Sequence, residues 1–128
     1  MNKVVAHFQD GTVAKGLTVD FVATKDRFHL VTEGAPPREI LLSDLKGLFF
    51  VKDLDGDLGH AKSNIFHPGD VSPGRRIRVD FRDGETLLGT TQAYTPGRFG
   101  FFVVPADKKS NTERAYVISS ATSSVTFL

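Results

Sequence analysis

The stretch FQDGTVAKG at residues 8–16 returns as FRDGETLLG at residues 81–89, in a chain of 128 residues. Around it, residues 4–31 align without gaps with residues 77–104 at an offset of 73, and seven of the 28 pairs are identical. Apolar residues and turn residues repeat together, which indicates one supersecondary unit used twice. The sequence therefore predicts two similarly folded halves.

Each copy starts with a strand that leads into a tight hairpin. In the second copy apolar and charged residues alternate over residues 77–82, a period of two that is typical of a strand with one buried face. The pair Asp10–Gly11, and likewise Asp83–Gly84, follows at once. Asp-Gly between strands predicts a hairpin, because glycine adopts positive φ without a steric cost.

A glycine lies in the middle of the second strand of each copy, as Gly16 and Gly89. Glycine inside a strand indicates a sharp bend or a bulge, which a very small barrel requires. A weaker match, at an offset of 76, pairs residues 40–51 with residues 116–127 and supplies strands four and five. We therefore expect an all-β fold of two tandem five-stranded small barrels packed together.

The predicted domain organisation follows from this repeat. Residues 1–54 form the first barrel, residues 75–128 form the second, and residues 55–74 are a linker rich in Gly, Asp and Pro. Each unit is small enough to be marginally stable alone. We expect the units to pack on each other through FFV at 49–51 and FFVV at 101–104, which are apolar on both strand faces.

The composition excludes several classes of site and of location. The chain has no cysteine, which excludes disulfides, thiol nucleophiles and zinc–thiolate sites. Its net charge is +1, although residues 1–74 carry eight basic and ten acidic residues (−2) and residues 75–128 carry eight and five (+3). We identify neither a signal peptide nor a membrane-spanning stretch, so we expect a cytoplasmic protein without a membrane partner.

Five strands, a glycine-bent second strand and a short turn before the last strand resemble the Sm-like and SH3-like small β-barrels. The repeated phrase, with SDLKGLFFVKD and SNTERAYVI, is also similar to an uncharacterised bacterial family of tandem repeats that has no assigned function. The Sm resemblance implies nucleic-acid contacts at Lys25, Arg27, Lys46 and Arg98, in the loops after strand two and before strand five. The Arg-Gly signature of RNA-binding Sm proteins is missing from both copies.

Candidate binding residues fall into a basic group and a loop group. The run RRIRVDFR at 75–82 contains arginines, whose guanidinium forks suit phosphate oxygens. Its RxxxR spacing resembles the cyclic-dinucleotide-binding PilZ domain, but the second motif of that domain is missing. The loop at 105–114 is long and polar, and such loops often carry binding sites. The candidates are Arg75, Arg76, Arg78, Arg82 and Arg98, and then Lys108, Lys109, Asn111, Glu113 and Arg114.

We interpret the chain as a non-catalytic module that binds another protein or a second copy of itself as a homodimer, in a scaffolding role within a regulatory system. RNA binding by an Sm-like protein is the alternative, and a response to a cyclic dinucleotide is the second alternative. We find no catalytic motif, no metal-ligand spacing in DLDGD at 53–57 or among the histidines, and no cofactor fingerprint. We therefore expect no enzyme activity, no metal and no cofactor.

Overall fold

The computed structural model describes residues 1–56, 64–66 and 73–128. The predicted linker therefore lies largely outside the described residues, as do His60, His67 and the last residue of DLDGD. The described chain contains ten strands and two single-turn 3₁₀ segments. In chain order these are β1 Asn2–Phe8, β2 Val13–Thr18, β3 Arg27–Leu30, β4 Arg38–Leu41, η1 Leu42–Asp44, β5 Leu45–Val51, β6 Arg75–Phe81, β7 Thr86–Thr91, β8 Gly100–Pro105, β9 Thr112–Ile118, η2 Ser119–Ala121 and β10 Thr122–Phe127.

All strand pairs are antiparallel, and the prediction of an all-β fold is confirmed. Eight strands form one sheet in the order β10-β6-β7-β8-β9-β5-β1-β2, and β3 pairs with β4 in a second sheet. A single bridge between Leu17 and Val31 links β2 to the smaller sheet. Among the described strands, neither sheet closes on itself. The hydrogen bonding thus gives one continuous sheet through both halves, and the expected pair of five-stranded barrels packed together stays a prediction.

The halves have matching strand registers. Val4 of β1 lies opposite Phe50 of β5, and Ile77 of β6 lies opposite Phe127 of β10. The first three strands of the halves are thus related by an offset of 73, and the last two strands by an offset of 77. The expected offset of 76 for the last two strands was wrong by one residue. That alignment depended on an apolar pattern without identities, and such a pattern does not specify register when loop lengths differ.

The two Asp-Gly hairpins have one geometry. Gly11 has a φ of +90° and Gly84 a φ of +93°, in the left-handed region that glycine adopts without strain. Each hairpin is a three-residue loop, since the N–H of Phe8 donates to the carbonyl of Thr12 at 2.9 Å. The Asp10 carboxylate accepts the N–H of Thr12 at 2.9 Å, so the aspartate stabilises the turn through its side chain.

The mid-strand glycines lie where two backbones approach closely. A Cβ atom at Gly16 would lie 2.6 Å from the carbonyl oxygen of Val31, and one at Gly89 only 2.2 Å from that of Val104. Any larger residue would push the second and third strands apart. Glycine is therefore required at these points by the packing of the strands, rather than by an unusual φ.

The apolar core consists of two clusters, and each receives residues from both halves. The first contains Val4, Phe28 and Leu48 from the first half together with Tyr116 and Ile118 of β9. The second is built on β6–β9, and Phe49 of β5 packs against it. Burial of apolar surface, the main favourable term in folding, is therefore shared between the halves.

Candidate binding groove

The halves are joined by β5 and β9. Their register runs from Gly47 opposite Val117 to Val51 opposite Thr112. Asn111 extends this pairing beyond β9, because its side-chain amide donates to the carbonyl of Asp53 at 2.8 Å and accepts the N–H of Asp53 at 3.0 Å. The fifth strand of the first half is thereby aligned with the fourth strand of the second.

An aromatic cluster covers one side of this junction. Phe21 contacts Phe50, Phe102 and Tyr116 with ring centroids 5.6, 6.3 and 5.4 Å away, all in edge-to-face geometry. The rings of Phe102 and Tyr116 are 5.0 Å apart. Aromatic pairs in this arrangement contribute about 0.5–1.5 kcal/mol each beyond area burial. The cluster therefore packs aromatic rings from both halves together at the boundary between them.

A groove of about 420 Å³ opens beside this cluster. The loop after β2 supplies one wall and the loop after β7 supplies the other, so both halves contribute. Its floor is formed by the aromatic rings of β8 and β9. The lining residues are Ala23, Thr24, Gln92, Ala93, Arg98, Phe99, Gly100, Phe101, Phe102 and Tyr116.

The chemistry of the groove is apolar with one positive charge. Among the described residues that line it, Arg98 alone has a charged side chain. Phe99 is 49% exposed at the rim, a large apolar side chain that the fold itself leaves uncovered. Burial raises the pKa of the Tyr116 phenol, and the nearby positive charge of Arg98 opposes that rise. The groove thus combines apolar contact area with a single site for a negative charge.

Gly100 lies against the Tyr116 ring in the lining of the groove. A Cβ atom at this position would lie 2.6 Å from Cζ of Tyr116 and 2.7 Å from its hydroxyl oxygen. The tyrosine ring therefore lies directly against the backbone at the start of β8. A larger residue would force the ring to move.

Four arginines of the predicted phosphate group have separate partners within the chain. The guanidinium of Arg75 lies 3.8 Å from the Phe127 ring centroid, and that of Arg76 lies 4.5 Å from that of Phe66. The other two form hydrogen bonds: Arg78 Nε donates to Asp80 at 3.2 Å, and Arg82 Nε donates to the Ser120 carbonyl at 2.9 Å. Of the five predicted arginines, Arg98 is the one that lines the groove.

Lys46, implied as a phosphate contact by the Sm resemblance, instead connects the two halves. It is 7% exposed, and its Nζ lies 2.7 Å from Asp83 Oδ2 and 2.6 Å from Glu85 Oε1 in the second hairpin. Its ammonium also lies 4.5 Å from the centre of the Phe81 ring. This lysine is therefore occupied by acidic and aromatic groups of the other half.

Arg27, implied in the same way, forms ion pairs with Asp26 and Glu39, each at 3.0 Å. Lys25 is exposed in the loop that also carries Ala23 and Thr24 of the groove wall. Of the four residues that the Sm resemblance implied, Arg98 and Lys25 thus lie on or next to the groove.

The predicted loop residues contribute mostly to the junction. Arg114 places its guanidinium 4.3 Å from the Phe50 ring and 4.7 Å from the Phe102 ring. With Glu113 it lines a separate polar recess of about 310 Å³. The backbone N–H of Lys109 donates to Asp107 at 3.0 Å, and the carbonyl of Lys108 accepts from Lys52 at 3.3 Å. None of these residues lines the groove.

The aromatic residues of the groove were missed in the sequence. TPGRFGFF at 95–102 reads as a turn followed by a core strand, and we interpreted the phenylalanines mainly as core filling. A signal was present, because Phe99 precedes the alternating buried positions of β8 and follows the positively charged Arg98. The groove also depends on residues 23–24, far away in the chain, and no local pattern predicts that contact.

Within the described ranges, no group of three or more metal-ligating side chains comes together. No helix in the part of the chain that the structure describes has the length and apolarity needed to cross a bilayer.

In comparisons with known proteins, the chain matches the model of one family, whose function is unknown. No significant match to the chain was found among curated proteins or among solved structures. A family model described as a family of unknown function, DUF6982, matches residues 1–128, the whole chain. On that match, the chain belongs to the DUF6982 family.

Proposed function

We propose that this protein is a non-catalytic binding module whose groove between the halves takes an extended segment of a partner protein. The observation that carries the proposal is the groove itself, about 420 Å³ in volume and walled by loops of both halves. Binding sites are typically concave and apolar, with few polar groups that fix orientation. The groove has this composition, and its floor is held by the junction that joins the halves.

The recognised segment carries a large apolar side chain next to a carboxylate. The apolar side chain packs on the rings of Phe99 and Phe102, since burying such a group contributes about 1.5–3 kcal/mol. The carboxylate binds the guanidinium of Arg98 at the rim. Arginine suits this role because its planar fork forms two parallel hydrogen bonds with one carboxylate.

Binding without catalysis agrees with the side chains available in the groove. Its polar side chains are those of Thr24, Gln92, Arg98 and Tyr116. General acid–base catalysis needs a group whose pKa lies near the working pH. An arginine remains protonated, and burial moves the pKa of Tyr116 further above neutrality. These four residues suit recognition better than proton transfer.

The proposal includes the finer architecture that we expect. Each half is an Sm-like or SH3-like small barrel, with its strands in the order four-three-two-one-five. The orders β9-β8-β7-β6-β10 and β5-β1-β2 with β3-β4 beyond the bridge support this interpretation. We further propose that the module acts in the bacterial cytoplasm, as a scaffold in a regulatory system.

A peptide-display selection on the full chain tests the groove. We expect enriched peptides to share an aromatic or large aliphatic residue next to Asp or Glu. Phe99→Ala and Arg98→Ala should each weaken binding of such a peptide about tenfold or more in a calorimetric titration. Val13→Ala and Arg76→Ala are matched controls, since both side chains are exposed and neither lines the groove. Equal binding by Phe99→Ala and the parent chain would refute the proposal.

RNA binding is the second candidate, because aromatic rings beside an arginine also form a stacking platform for bases. It has less support, since Arg75, Arg76, Arg78 and Arg82 each have a partner in the chain. Titration with single-stranded RNA and with a cyclic dinucleotide at about 20 mM salt separates these options, because phosphate contacts weaken steeply as salt rises. Tight, salt-sensitive binding of either ligand would replace the protein-segment proposal.

A further inference from the structure

In the part of the chain that the structure describes, the series of paired strands ends at β10 on one side and at β4 on the other. Among the described strands, β10 is the outer strand of the eight-stranded sheet at the end of the second half. At the other end, β4 pairs with β3 and with no other described strand. Free strand edges present unpaired N–H and carbonyl groups that pair readily with another strand.

These two free edges are counterparts of the strands that join the halves. At the offset of 77, β10 corresponds to β5 and β4 corresponds to β9. Inside the chain β5 and β9 pair as the fifth strand of one half with the fourth strand of the other. The equivalent pair, the fifth strand β10 and the fourth strand β4, is not formed within the described chain. These two strands lie at opposite ends of the series of paired strands.

We propose that the chain self-associates head to tail, with β10 of one copy pairing antiparallel with β4 of the next copy. The occupant is a second copy because only that strand pair repeats a junction already present in the fold. The contact is heterologous, so successive copies form a ring or an open filament.

The hydrogen-bond pattern shows which residues face outward on β10. The N–H of Leu128 donates to the carbonyl of Arg76 at 3.0 Å. Since bonded pairs alternate along an antiparallel ladder, Thr126 also bonds β6, and Val125 and Phe127 direct their backbone groups outward. Phe127 is 37% exposed, which leaves apolar surface at this edge.

The same reasoning identifies the outward groups of β4. The N–H of Leu42 donates to the carbonyl of Asp26 at 2.9 Å, so Ile40 bonds β3. Glu39 and Leu41 therefore direct their backbone groups away from β3. The side chain of Leu41 is 37% exposed at this edge.

The register of the internal junction defines the register between copies. Inside the chain Leu48 lies opposite Tyr116. The counterpart of Leu48 is Val125, 77 residues later, and the counterpart of Tyr116 is Glu39, 77 residues earlier. Val125 therefore lies opposite Glu39 of the next copy. In the same way Phe127 lies opposite Pro37. Proline has no N–H, so this junction has one hydrogen bond fewer than the internal one. The association is therefore weaker than the β5–β9 contact and depends on protein concentration.

Two proline variants and their mixture test the proposal. Val125→Pro removes an outward N–H of β10, and Glu39→Pro removes an outward N–H of β4, so neither change breaks a bond of the chain's own ladder. In analytical ultracentrifugation from about 10 µM to about 1 mM, we expect the parent chain to form dimers and larger species. Each variant alone should stay monomeric, and an equimolar mixture should form a one-to-one dimer through its two intact edges.

The outcomes separate this contact from any other interface. A parent chain that is monomeric at about 1 mM would overturn the proposal, and so would variants that associate as the parent does. A dimer that stays a dimer at every concentration, with no larger species, would indicate a symmetric interface instead. If a proline variant fails to fold by circular dichroism, Thr126→Lys and Glu39→Lys replace the pair, because both side chains are exposed and lysine on an edge strand opposes pairing. The groove is not involved, so this result is independent of the proposed function.

Discussion

The fifth strands of the two halves, β5 and β10, pair in the same way with the first strand of their own half, but β5 is buried and β10 is mostly exposed. All residues of β5 are buried except the partly buried Phe49, whereas the corresponding strand β10 is mostly exposed. The sequences follow this difference, since LKGLFFV is apolar on both faces and TSSVTF is largely Ser and Thr. Two strands with the same backbone pairing thus differ in side chains, which are mostly apolar in β5 and mostly polar in β10. The apolar strand lies between two neighbours, and the polar strand lies at an edge.

The hairpins differ in a related way. Asp10 bonds Thr12 of its own turn, whereas Asp83 also receives the ammonium of Lys46 from the other half. The position equivalent to Lys46 in β10 is Ser123, so no lysine stands there to reach another hairpin. Asp83 is therefore part of the junction, whereas the hydrogen bonds of Asp10 lie within its own turn and the first hairpin reaches the other half through Gln9, which donates to Ser120 at 3.3 Å.

We expect the largest loss of stability at the mid-strand glycines, which both halves need for the close approach of their second and third strands. Gly89→Ala places a Cβ atom 2.2 Å from the carbonyl of Val104, and Gly16→Ala places one 2.6 Å from that of Val31. We expect Gly89→Ala to lower the free energy of unfolding by about 3 kcal/mol or more, with a smaller loss for Gly16→Ala. Urea denaturation measures both. If Gly89→Ala is as stable as the parent chain, the strands do not cross as closely as described.

The comparison of β5 with β10 predicts that the same substitution lowers the free energy of unfolding by unequal amounts at the equivalent positions 50 and 127. Phe50 is 4% exposed and its counterpart Phe127 is 37% exposed. Phe50→Ala should lower the free energy of unfolding by about 3–4 kcal/mol through a cavity in the shared core. Phe127→Ala should cost about 1 kcal/mol. Urea denaturation at a concentration where the chain is monomeric gives both values, and equal costs would contradict the assignment of β10 as an edge.

Removing the acidic partners of Lys46 tests the hairpin comparison. Asp83→Asn with Glu85→Gln leaves a buried ammonium without an opposite charge. We expect a loss of about 2 kcal/mol, below the range for fully buried pairs because the side chains of Asp83 and Glu85 are 47% and 67% exposed. Asp10→Asn is the matched control, and its free energy of unfolding should change much less. A loss at Asp10→Asn as large as that of the double variant would show that the turn, and not Lys46, determines the effect.

The smallest expected effect is on the pH dependence of stability. The pKa of Asp83 is held below 3.8, first by the hydrogen bond from Lys46 and then by the N–H of Glu85. The pKa of Asp10 is lowered by its hydrogen bonds from Thr12. Because the folded pKa is the lower one, each carboxylate stabilises the fold at neutral pH, and this contribution is lost as the pH falls below about 4 through the folded pKa.

Carbon-13 NMR titration of the two carboxyl groups measures this directly. We expect both midpoints below 3.8, the ordinary pKa of an aspartate. In Lys46→Met the midpoint of Asp83 should rise toward that value, and the midpoint of Asp10 should not change. A rise at Asp10 as well would contradict the separate environments of the two hairpins.

Much of the fold could be predicted from particular residues. Strand alternation in 77–82 and the Asp-Gly turns depend on local backbone preferences, so the sequence is enough to identify them. The register of the last two strands was one residue out, because an alternating pattern fits at neighbouring offsets and only the pairing chooses between them. The site was harder. Arg98 was among the candidates, but its aromatic neighbours were not, since exposure of Phe99 depends on how the halves meet.

The amino-acid sequence alone determines that the chain has two similar β units, a turn at each Asp-Gly pair and a glycine in each second strand. Backbone preferences and side-chain alternation act over a few residues, and they do not depend on the rest of the fold. The pairing of β5 with β9, the ion pairs of the buried Lys46 and the groove beside Tyr116 arise only on folding. Each of these brings together residues from both halves, and no short-range pattern specifies contacts across such distances in the chain.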